Sequence, residues 1–127
     1  MARQIAAVLV GMLLCVLLTA AGGFLQYRLS SIWPEHTLGA IARYLGNPLV
    51  ALIVGAVVGA LAKIRAPLLA LLSLTPMVVG TLTFIRRLNF FHTLFMVFFM
   101  IANLAIGMVV AAFVAKNRAR SRVLIAN

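Results

Sequence analysis

The sequence predicts an all-α integral membrane protein, four transmembrane helices with a short interfacial helix in the first outer loop. Three observations lead there. Of 127 residues, 65% are hydrophobic and 9% charged, with a mean hydropathy of +1.19, whereas soluble domains carry about 25% charged residues. Glu35 is the only acid and Asp is absent, so a water-soluble fold would lack charged cover and expose large apolar patches. The apolar residues also fall into four runs, and the cations fall between and after them. One transmembrane bundle over 1–127 accounts for all three.

The first helix is expected over about 5–25. Arg3 followed by an apolar run resembles a signal peptide, and Thr19, Ala20 and Ala21 imitate a cleavage site. The run continues through Gly22, Gly23 and Phe24 without a polar break. It exceeds the h-region of a cleaved signal and reaches the roughly 20 residues that cross a bilayer, so a retained helix is expected.

The second helix, about 45–64, starts at Asn47-Pro48, since Asn caps and Pro fits the first helical position. Its apolar part is short, and Lys63 and Arg65 lengthen the span by snorkelling. Before it, Leu38, Ile41, Ala42 and Leu45 form a short apolar stripe with Gly46 as a C-cap. Tyr27, Trp33 and Tyr44 surround that stripe, and such side chains favour the headgroup level. This is the interfacial helix; a lid over the bundle is the alternative.

The third helix, about 67–85, opens on Pro67 and stops at Arg86-Arg87. Pro76 inside it has no N–H, so the Leu72 carbonyl loses its usual partner and a kink is expected, with nearby Ser and Thr hydroxyls re-satisfying freed groups. The fourth helix, about 90–115, is the most apolar. A basic tail over 116–127 follows, carrying Lys116, Arg118, Arg120 and Arg122.

Four spans put both termini on one side. With the termini inside, that side holds seven cations (Arg3, Lys63, Arg65 and the four of the tail) against Arg28, Arg43, Arg86 and Arg87 outside. The positive-inside rule therefore expects a cell (inner) membrane protein with cytoplasmic termini. The net charge of +10 is distributed for anionic lipid headgroups, at about 1 kcal/mol per Lys or Arg, and not as one face for nucleic acid. Lipid is thus one expected partner. Other membrane-protein subunits or self-association are the second.

Two helices end alike. Gly55, Val57, Val58 and Ala60 match Gly107, Val109, Val110 and Ala112 at one offset, and after a one-residue slip Ala62, Lys63, Arg65 and Ala66 match Ala115, Lys116, Arg118 and Ala119. Two hairpins of the same orientation would produce this; chance in so restricted a composition produces it equally well.

Gly55 and Gly59 make a GxxxG packing seam, because small residues at that spacing let backbones approach. Asn103, mid-helix, is expected to bond hydroxyls of a neighbouring helix as interhelical glue. Ser73, Thr75, Thr81 and Asn103 are the candidates for a polar path. Lone Cys15 allows no intrachain disulfide or zinc cluster, and His36 and His92 have no further ligand at metal spacing. No metal or other cofactor is expected. With no mid-membrane ionisable residue and no nucleophile–base pair, neither a carboxylate relay nor an enzyme is expected. The function expected is a non-enzymatic accessory or assembly subunit of a membrane complex. A small oligomeric channel and a holin-like membrane-permeabilising protein are the alternatives.

Overall fold

The computed structural model describes residues 1–32, 37–62, 64–85 and 89–126. In these the chain is all-helical: α1 Ala2–Ile32, α2 Thr37–Leu61, α3 Ala66–Ser73, α4 Thr75–Ile85 and α5 Phe90–Ala126. Three segments are long and apolar enough to cross a membrane: Ala2–Leu25 in α1, Ala66–Thr83 across α3 and α4, and Phe90–Ile125 in α5. The apolar part of α2, Asn47–Leu61, is shorter. Trp33, Glu35, His36, Lys63, Arg86 and Arg87 lie outside the described residues, as do the side chains of 37–46.

Every helix differs in extent from its expected span, each for a local reason. Helix α1 continues to Ile32 because nothing before Pro34 opposes it; a proline biases the residue before it away from the helical region. Helix α2 runs unbroken through Gly46, Asn47 and Pro48, so the stripe at 38–45 is the first part of α2, not a separate helix. No described glycine adopts a positive φ, and Gly46 therefore does not form the left-handed cap that would have ended the stripe. The expected third helix is two: α3 and α4 part at Leu74, two residues before Pro76. The segment 116–126 is not a free tail but the last turns of α5. Its Ala, Lys and Arg are good helix formers.

Contacts set the directions. Arg3 Nε donates to the Leu61 carbonyl at 2.9 Å, and a Cβ on Gly11 would meet Val58, so α1 and α2 are antiparallel. Arg65, at φ 56°, turns the chain from α2 into α3 in a left-handed conformation. Gly11 also abuts Ser73, whose Oγ lies 3.4 Å from the Val8 carbonyl, and α3 runs parallel to α1. Gly55 faces Gly107 and Gly59 faces Ala111, which makes α2 and α5 parallel at the same offset that aligns their sequences. Two similarly oriented hairpins, α1–α2 and α3/α4–α5, thus pack side by side, while α1 and α5 do not touch among the described residues.

The interior is made of small residues. Ala7, Cys15, Ala51, Ala62, Ala66, Ala70 and Ala111 are buried with a few Val and Leu. Leu9, Leu13, Leu17, Phe91, Phe98 and Phe113 point outward. This inverts a soluble core, as expected where lipid accepts the large apolar groups and helices associate by close approach.

Candidate functional site

Three stripes of small residues at four-residue spacing build the centre of the bundle. On α2, Ala51 and Gly55 meet Gly107 of α5 and Gly59 meets Ala111; a Cβ on Gly55 would lie 3.1 Å from Gly107 Cα, and one on Gly59 would lie 3.0 Å from Ala111 Cα. Such separations leave no room for a side chain at either glycine. The third stripe, Ala7, Gly11 and Cys15 on α1, is buried, with Gly11 against Ser73 and Val58. Its mixed residue types hide the spacing from a search for GxxxG, though small residues every four positions are its signature.

The candidate polar residues do not converge. Ser73 is fully buried and donates to the Leu69 carbonyl at 2.8 Å. Thr75 donates to the Leu72 carbonyl at 2.6 Å, supplying the acceptor that Pro76 cannot serve. Thr81 donates to the Met77 carbonyl at 2.9 Å. Ser73 is also within reach of the Val8 carbonyl of α1, Thr75 reaches back to α3 and Thr81 bonds within α4, so all three hydroxyls are committed to backbone carbonyls. Asn103 is 1% exposed, and its Oδ1 has no hydrogen-bond partner, so the bond expected from a hydroxyl of the third helix is not made to that oxygen. Two surface cavities flank the bundle. One of about 300 Å³ lies between α1 and α3, lined by Gln4, Ile5, Val8, Leu9, Leu69 and Leu72. The other, about 590 Å³, lies along α5 between Lys116 and Leu124. Neither is lined by Ser73, Thr75, Thr81 or Asn103.

The core ends at one level. Cys15, Val50, Met77 and Asn103 mark it; beyond them no residue with a described side chain is buried. From Thr19 to Leu25 every side chain of α1 is exposed, and nothing lies within 4 Å of a Cβ placed on Gly22 or Gly23. Gly80 on α4 is equally open. Among the first thirteen residues of α5, 90–102, none is buried. At the opposite end Lys116, Arg120 and Arg122 are exposed and Arg118 is partly covered. His92 is exposed, and no three metal-ligating side chains gather among the described residues.

The class these features define is a helical membrane protein with a tight small-residue seam at one end and an uncovered face at the other. The chain matches no protein-family model, no curated protein and no solved structure.

Proposed function

We propose that this chain is a non-enzymatic accessory or assembly subunit of a membrane complex, crossing the cell membrane four times with both termini cytoplasmic. Helix α2 as the fourth crossing is supported by its depth: residues 55–59 lie level with 107–111 of α5, inside an apolar span. Cytoplasmic termini are supported by the cations that collect where α1 begins and α5 ends.

The observation that carries the accessory reading is the uncovered small-residue run Thr19–Gly23 of α1. Gly55 and Gly59, of the same residue types, sit instead against the backbone of α5. Lipid tails conform poorly to a helix face of glycine and alanine, while a second helix gains close van der Waals contact there. A pore through one copy is less well supported, because its candidate hydroxyls are committed to backbone carbonyls and its residues line neither of the two cavities.

Gentle extraction from native membranes tests the reading. The chain is expected to co-purify with larger membrane proteins, and Gly22→Leu is expected to release it while the isolated chain keeps its helicity and melting temperature. A single clean species containing only this chain in mild detergent overturns the proposal.

A further inference from the structure

The basic end of the bundle holds a cluster that a tail of scattered cations would not form. Arg3 is fixed by its Nε bond to the Leu61 carbonyl, which caps the last turn of α2 and leaves both terminal guanidinium nitrogens to other acceptors. On α5, Ala111 and Val114 face Gly59 of α2. Arg118 and Arg122 follow Val114 at four-residue intervals and therefore continue the same inward face past the end of α2. Lys116 and Arg120 belong to a different face, where they border the groove with Ala119, Val123 and Leu124. The like charges of Arg122 and Arg3 both act on Arg118. Arg3 and the two α5 arginines thus approach the end of α2 from different helices.

We infer that Arg3, Arg118 and Arg122 form one binding site for a phosphate-bearing anion. Guanidinium groups gathered at one end repel one another, and the sequence offers a single acidic side chain, Glu35. Guanidinium forks pair with phosphate oxygens in bidentate geometry. At the level where α1 begins, a bilayer supplies phosphate as the headgroup of an anionic phospholipid; free phosphate in the adjoining water is the second source. The site does not depend on the accessory role, only on the two chain ends lying together.

Native mass spectrometry of the full chain in neutral detergent, titrated with phosphatidylglycerol, tests this. One lipid is expected to stay bound per chain, with phosphatidylcholine retained much more weakly. Arg118→Gln with Arg122→Gln is expected to weaken retention about thirtyfold, while Lys116→Gln with Arg120→Gln, equal in charge removed, changes it less than about twofold. Arg3→Gln also removes the α2 cap, so the α5 pairs decide. Displacement of the lipid by millimolar orthophosphate identifies a site for phosphate as such; retention against it identifies one for the lipid. Equal losses in the two double variants, or equal retention of both lipids, overturn the site.

Discussion

The two halves of the bundle use glycine in opposite ways. Toward the basic end, Gly11, Gly55, Gly59 and Gly107 each face another helix so closely that a single added carbon would collide. Toward the aromatic end, Gly22, Gly23 and Gly80 face open space, among exposed Phe24, Tyr27, Phe90 and Phe91. Composition does not separate the halves; the presence of a complementary small residue on the next helix does. Gly55 finds Gly107 and Gly59 finds Ala111, whereas the run at 19–23 meets no counterpart among the described side chains. Helix association in lipid depends on paired surfaces, and this run lacks a described pair.

The sharpest way to break the comparison is one substitution placed in both halves. Gly55→Leu drives a side chain into the backbone at Gly107, and a loss above about 3 kcal/mol is expected from overpacking against an atom that cannot yield. Gly22→Leu in the same assay is expected to change stability by less than about 0.5 kcal/mol. Unfolding of the isolated chain in mixed micelles, followed by circular dichroism, measures both. Similar losses at the two positions would mean that the open half is closed in the isolated chain.

Asn103 tests the level at which the halves meet. Its buried Oδ1 has no partner, and an unmet acceptor costs about 1–3 kcal/mol. Asn103→Leu, close in volume, is therefore expected to leave the chain as stable or raise its stability by about 1 kcal/mol. A loss of that size would show the amide to be bonded. A modest loss is expected at Thr75, whose hydroxyl serves the Leu72 carbonyl at an exposed position. Thr75→Val is expected to cost about 0.5–1 kcal/mol, read as a small fall in melting temperature, with Thr83→Val as a control for a hydroxyl bonded within an unbroken helix.

Much of this was legible before the fold was known. Gly55 and Gly59 announce a close approach, and Pro76 announces both the interruption and the carbonyl it leaves behind. Helix ends were harder. Gly46 and Pro48 are punctuation in solution, yet α2 passes through both, because a proline costs one hydrogen bond and the flanking turns continue on either side. The charges at 116–122 suggested a tail, since charge marks where a membrane run stops, but it does not mark where a helix stops. The stripe Ala7, Gly11, Cys15 went unnoticed because it alternates three residue types. The inward turn of Arg118 and Arg122 depends on which face of α5 meets α2, a matter of pairing between segments remote in sequence.

The interruption at Leu74 has a mechanical consequence. Helix α3 is clamped on its buried face by Ala66, Leu69, Ala70 and Ser73, whereas Met77 is the one described residue of α4 that is buried. Between them Leu74 lodges against Gly107, donating its N–H to the Ala70 carbonyl and accepting from Met77 and Val78. The break is thus bridged and wedged in place, and packing, not helix continuity, divides the firmly held α3 from the lightly held α4.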